Sequence, residues 1–157
     1  MAFLGTYEVK VDTKGRLRLP STLVRQLSDG NSVMQLVVNC GFEPCLTLFK
    51  KPTWDTYIES LTSRINVFNK KHRMLMRFVQ RGATELLVDA SDRILLPKIL
   101  QEYAAIDGDA LLIPFKDDRI EIWNRERYES IMNVAEDMSD VAEELFGTEW
   151  AGPASDS

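Results

Sequence analysis

Apolar and polar residues alternate over Tyr7-Glu8-Val9-Lys10-Val11, the two-residue period of a strand with one buried face. A polar stretch with Gly15 follows, and Leu17-Arg18-Leu19 returns as a second strand. Glycine is expected in that turn because it accepts positive φ without a Cβ clash. Behind Pro20, which opens a helix, Leu23, Val24 and Leu27 form an apolar stripe, and Asp29-Gly30 is its predicted stop. Gln35 to Asn39 reads as a buried strand that pairs with Leu46-Thr47-Leu48-Phe49 across the Gly41-to-Pro44 turn. Trp54, Tyr57, Ile58 and Leu61 share one helical face, and a further helix is predicted over about 67–79, closed by Arg81-Gly82.

The same grammar then recurs. Asp12-Thr13-Lys14-Gly15-Arg16 and its Leu17-to-Pro20 tail reappear as Asp89-Ala90-Ser91-Asp92-Arg93 with Ile94 to Pro97, at a constant offset of 77 residues. Glu85 to Val88 is the second opening strand, and Ile99, Leu100 and Tyr103 are predicted to face inward from the helix after Pro97, with Asp107-Gly108 as its stop. Leu111-Leu112-Ile113 and Ile120-Glu121-Ile122-Trp123 make the closing hairpin. Trp123 and Tyr128 fall where Phe49 and Trp54 fell, now at an offset of 74. One final helix is predicted over 127–146, with Ile131, Val134, Met138, Val141 and Leu145 as its stripe, before a frayed tail over 147–157.

Units of about fifty residues rarely bury enough apolar surface alone. Two copies sharing one core about a pseudo-twofold axis are therefore expected, an α+β chain with a β core and flanking helices. The first repeat and its trailing helix take 5–60, a connecting helical segment 61–81, the second repeat 82–130, and the end of the final helix with an acidic tail 131–157.

Composition narrows the function classes. The chain has 157 residues, 45% hydrophobic and 27% charged, with a net charge of −5, which suits a soluble globular protein. No run of eighteen apolar residues is present, and Met1 to Thr6 lacks a charged, then apolar leader, so a cytoplasmic location is the default. The net charge argues against a uniformly basic coat, but its distribution is uneven. Lys10, Lys14, Arg16, Arg18 and Arg25 stand against Asp12 alone, whereas every charge from Asn133 onward is negative. Cys40 and Cys45 read as reduced packing residues, and with the single His72 they lack the spacing of a zinc site.

An aspartate four residues before an arginine can close its turn with an ion pair, expected to be bidentate. A surface pair contributes only about 0–1 kcal/mol, a weak reason to build the motif twice. The pair can instead orient an arginine and its basic neighbours toward phosphate or base edges. Both uses remain open from the residues alone. Catalysis fares worse: Ser21, Ser91 and the cysteines have no activating partner at motif spacing, and His72 reads as a solvated helix residue. No enzymatic activity, cofactor, metal or small-molecule substrate is expected.

The opening Phe3-Leu4-Gly5-Thr6-Tyr7, the two D-x-x-x-R turns with their apolar-proline tails, and Ile120-Glu121-Ile122-Trp123 resemble the MraZ family. The resemblance covers the chain from Met1 to about Met132. It implies tandem swapped-hairpin units of the AbrB-like, SpoVT type in a pseudo-twofold β-barrel, with protomers assembled into rings, octameric or larger. It also implies a nucleoid-associated repressor that binds repeated DNA boxes upstream of the division and cell-wall gene cluster, its own gene included. On the residues that match, the DNA-facing set is Asp12, Lys14, Gly15, Arg16 and Arg18 in the first turn, and Asp89 and Arg93 in the second. Asp92 in the place of Gly15 departs from the pattern and makes the second turn the poorer contact for phosphate, which leaves the pseudo-dimer interface or the ring as its other uses. The alternative is an antitoxin-like or scaffold interaction protein of the same fold class without its own operator.

Overall fold

The computed structural model describes residues 5–28, 34–116, 118–133 and 138–147. Its order is β1 (Tyr7–Val11), β2 (Arg16–Arg18), α1 (Ser21–Leu27), β3 (Gln35–Cys40), β4 (Leu46–Lys50), α2 (Lys51–Arg64) and α3 (Lys70–Gln80). There follow β5 (Thr84–Leu87), β6 (Arg93–Leu95), α4 (Lys98–Ala104), β7 (Gly108–Phe115), β8 (Arg119–Asn124), α5 (Arg125–Ile131) and α6 (Met138–Phe146). Two compact units result, Met1–Arg125 and Glu126–Ser157.

The first unit is an antiparallel sheet in the order β5-β3-β4-β8-β7-β1-β2-β6, whose outer strands β5 and β6 come back into contact. It is the expected pseudo-twofold barrel. The symmetry is visible in the register, because Leu17 pairs with Ile94, its own equivalent at the offset of 77. On the far side Thr47 pairs with Glu121, its equivalent at the offset of 74. A residue can face its own counterpart only on a twofold axis, so the axis passes through both pairs. The hairpins are exchanged: β1 pairs with β7, and β5 pairs with β3, so each copy's first strand completes the other copy's closing hairpin. Inward positions alternate along the strands, and Leu17, Leu19, Ile94, Leu96, Leu112 and Ile122 are each almost wholly enclosed.

Helices α2, α3 and α4 pack against the sheet, all three on β3 and α2 also on β4. Pro20 and Pro97 have matching extended conformations (φ −57°, ψ 142° and φ −59°, ψ 141°) and lie just outside their helices as N-caps. They direct the chain into the helix rather than forming its first turn, because their ψ is not helical. From α2, Trp54 and Tyr57 pack on Phe49 at ring-centroid distances of 5.3 and 5.5 Å, so that end of the stripe faces the sheet, although none of its residues is fully buried. At the end of α3, Asn39 donates to the Val79 carbonyl and accepts from the Thr47 hydroxyl (2.9 and 2.6 Å), tying the helix to the sheet through a buried polar bridge.

Several expectations are corrected. The helix expected over 67–79 begins at Lys70, because Asn69 caps the Lys71 and His72 amides at 2.9 and 3.2 Å and leaves Val67 and Phe68 outside it, exposed. His72 is half-buried rather than solvated, and its Nδ1 accepts from the Asn66 amide at 3.0 Å, which ties down the turn before α3. Ile99 faces outward and is 57% exposed, whereas Leu100 is buried. The single final helix is two, α5 and α6; α6 carries Met138, Val141 and Leu145 on its surface. Asp29, Gly30, Val134 and the tail beyond Gly147 lie outside the described residues. Both cysteines are free and buried, and burial pushes both thiols up.

Candidate nucleic-acid interface

Each repeated turn is built around one aspartate. Asp12 Oδ1 accepts the backbone N–H groups of Lys14 and Arg16, both at 2.9 Å, and its Oδ2 accepts Arg16 Nε at 2.9 Å. Asp89 does the same with the Ser91 and Arg93 amides at 2.8 and 2.9 Å and Arg93 Nε at 3.0 Å. One side chain thus imitates a backbone turn while it holds the arginine beside it. The ion pair is single rather than bidentate, because Oδ1 is occupied by two amides. The terminal amino groups of Arg16 and Arg93 keep no hydrogen-bond partner among the described residues. Both carboxyls are held below the usual aspartate range, first by the arginine backbone N–H; partial desolvation opposes the shift.

The fourth position of each turn needs a left-handed backbone. Gly15 has φ +88° and Asp92 has φ +61°. At Gly15 space is also short: a Cβ there would run into the Gln101 amide and come within 2.9 Å of the Leu96 carbonyl oxygen. Gln101 Nε2 donates to that oxygen at 2.8 Å, so a helix of the second copy closes over the turn of the first.

The structure brings the two turns to one surface. β2 and β6 pair antiparallel across the copies, with Arg16 opposite Leu95 and Arg18 opposite Arg93. Leu19 N donates to Asp92 O at 2.8 Å, and Leu96 N to Gly15 O at 2.9 Å, so each turn abuts the end of the other copy's strand. The product is a two-stranded ribbon whose outer face carries Arg16, Arg18 and Arg93, while Leu17 and Ile94 point inward. Two arginines directly opposite repel, and Asp89 on Arg93 offsets only part of that, so a further anion is favoured between them. Charge compensation differs between the copies. Arg16 and Arg93 each have an aspartate, and Lys10 bonds Asp109 at 3.0 Å. Among the described residues Lys14 and Arg18 have no carboxylate partner, and Asp92 has no cation.

Treating the turns separately hides this ribbon, and with it Leu87 and Leu95, which stand exposed where the first copy has Lys10 and Arg18. The offset of 77 was the signal that could have found them. Among the described residues no group of three or more His, Cys, Asp or Glu could hold a metal, and no helix is long and apolar enough to cross a membrane.

A family model described as "MraZ protein, putative antitoxin-like" matches the chain twice, over residues 2–78 and 79–148. The chain is 33% identical over 147 residues to a transcriptional regulator MraZ of Bacteroides thetaiotaomicron, covering 94% of each protein. It is 35% identical over 135 residues to that of Treponema pallidum, covering 86% of this chain and 87% of the relative. With the relative from Flavobacterium psychrophilum the identity is 34% over 145 residues, 92% of this chain and 91% of the other. The paired turns, the exchanged hairpins and these similarities agree: the chain belongs to the MraZ family.

Proposed function

We propose that this chain is a sequence-specific DNA-binding regulator of transcription, working in the cytoplasm at the nucleoid. The observation that carries the reading is the ribbon on which Arg18 faces Arg93 beside Arg16, with Lys14 in the adjoining turn. A two-stranded ribbon fits the major groove, arginine reads guanine there, and an anionic partner relieves the facing charges. The names of the relatives support the transcriptional role.

The finer reading is repression of the division and cell-wall gene cluster, the protein's own operon included, through repeated promoter boxes. A closed ring of eight or more protomers would present one ribbon per box, and several weak contacts would then add through effective concentration. Within the first turn, Asp12 and Gly15 set the geometry, Arg16 reads a base, and Lys14 and Arg18 bind phosphate; Asp89 and Arg93 contribute from the second. The test is titration of the full-length protein with DNA from upstream of its own gene at several salt concentrations. Wild type should bind at discrete, regularly spaced boxes. Lys14→Ala and Arg18→Ala should each lower the salt slope by about 1 while the boxes stay the same. Salt-independent binding, or no preference over unrelated DNA, would refute the reading.

A further inference from the structure

The outer face of the ribbon and its neighbouring strands is laid out in two rows. Continuing the hairpin register from Val11 and Leu17 sets Lys10 opposite Arg18, which faces Arg93. In the other row, the bond from Asp89 N to Arg93 O sets Leu87 opposite Leu95, which faces Arg16. The pseudo-twofold axis exchanges the rows: Lys10 with Leu87, Arg18 with Leu95, and Arg93 with Arg16. Equivalent places thus hold three cations on one side of the axis and two leucines with an arginine on the other. Leu87 and Leu95 are 62% and 54% exposed. The fold does not require leucine there, since lysine and arginine occupy the same places in the first copy.

We infer that Leu95, with Leu87 beside it, contacts thymine C5-methyl groups in the major groove, so that the ribbon reads its box in one direction only. This rests on the DNA-binding reading above. Along a strand the rows lie two residues apart, about 7 Å, or about two base-pair steps of about 3.4 Å. The cationic row then meets guanine acceptors and phosphates while the leucine row meets thymine. The groove offers methyl groups and hydrogen-bond acceptors side by side on neighbouring base edges, which is the chemistry that Leu95 and the terminal amino groups of Arg16 present together. An apolar protein partner would instead bury a guanidinium without acceptors for those donors, which is costly. A symmetric ribbon would read both orientations of a box alike; the leucines break that equivalence.

The experiment uses the full-length protein and DNA from upstream of its own gene, with the bound site fixed by footprinting. Thymines in the site are replaced singly by deoxyuracil, which lacks only the methyl group. Wild type should lose about four-fold in affinity at one or two positions, the size expected for one buried methyl. Leu95→Ala should bind the thymine site more weakly and lose nothing further on uracil at the same position. Leu95→Ser should behave alike, and melting curves of both variants should match wild type, since the side chain is exposed. Wild-type affinity unchanged at every uracil would overturn the inference, as would full uracil sensitivity in the Leu95→Ala variant. A change of oligomeric size in that variant with DNA affinity intact would assign the row to protein contacts and also overturn it. Arg16→Ala separates the two readings. Weakened DNA binding by Arg16→Ala beside a uracil-indifferent wild type removes the thymine contact alone, whereas no site-specific binding by wild type removes both.

Discussion

The two D-x-x-x-R turns share a skeleton and differ in everything attached to it. Five hydrogen bonds recur in each with lengths that agree within 0.1 Å. Yet the first turn has an enclosed glycine and a lysine with no carboxylate partner among the described residues, where the second has Asp92 and Ser91. Gln101 packs over Gly15 from the second copy, whereas its equivalent in the first copy is the shorter Val24. At position 92 a side chain is present where the first copy has the glycine that Gln101 crowds. The skeleton aims an arginine, and the positions around it decide how strongly anions are drawn to it.

The comparison is broken most sharply at the arginines. Arg16→Ala should weaken operator binding by about 1–3 kcal/mol per engaged site, the range for a base-reading side chain. Arg93→Ala should cost clearly less, since Arg18 and Lys10 share its row and Asp92 already weakens the local field. Binding isotherms at one salt concentration, with melting curves alongside, check this; equal losses would show that the turns act as equals. Stability separates the fourth positions next. Gly15→Ala should destabilise by about 1–3 kcal/mol, combining left-handed strain with the clash against Gln101. Asp92→Gly should be neutral or stabilising by up to about 1 kcal/mol, because glycine relieves the strain that aspartate bears. Denaturant titrations of both variants suffice, and a stable Gly15→Ala protein would show that Gln101 yields.

The smallest difference is expected in acid. Asp12 and Asp89 both have carboxyls depressed below the usual range, each first by its arginine's backbone N–H. A depressed folded-state pKa gives stability that is complete above the ordinary aspartate range and is lost as pH falls through the lowered value. Asp12→Asn and Asp89→Asn should therefore flatten the acid limb of the stability curve to the same degree. A difference between them would mean that Lys14 or Asp92 reaches the carboxyl electrostatically.

The repeat, the turns and the closing hairpins were legible in the sequence because each is a local pattern fixed by side-chain period and turn chemistry. The pairing of Arg18 with Arg93 was not, since nothing in Leu17-Arg18-Leu19 or Ile94-Leu95-Leu96 specifies which distant strand lies alongside. Ile99 was misplaced because a short helix offers too few turns to settle its buried face. The final helix was read as one because the apolar spacing stays in phase from α5 to α6, so the period alone does not show where one helix ends. Leu87 and Leu95 looked like ordinary strand residues until the register set them on the surface.

The exchange of hairpins also governs the order in which the chain can fold. β1 is made first during synthesis, but its partner β7 lies beyond the second turn and α4, with Tyr7 awaiting Leu112. Contacts so distant in sequence form late and slow the search. A ribosome that has released only the first copy has made a strand edge with nothing to cover it on that side, a template for pairing with other chains. Any truncation before Gly108 freezes that state, so shortened chains should aggregate rather than survive as half-sized regulators.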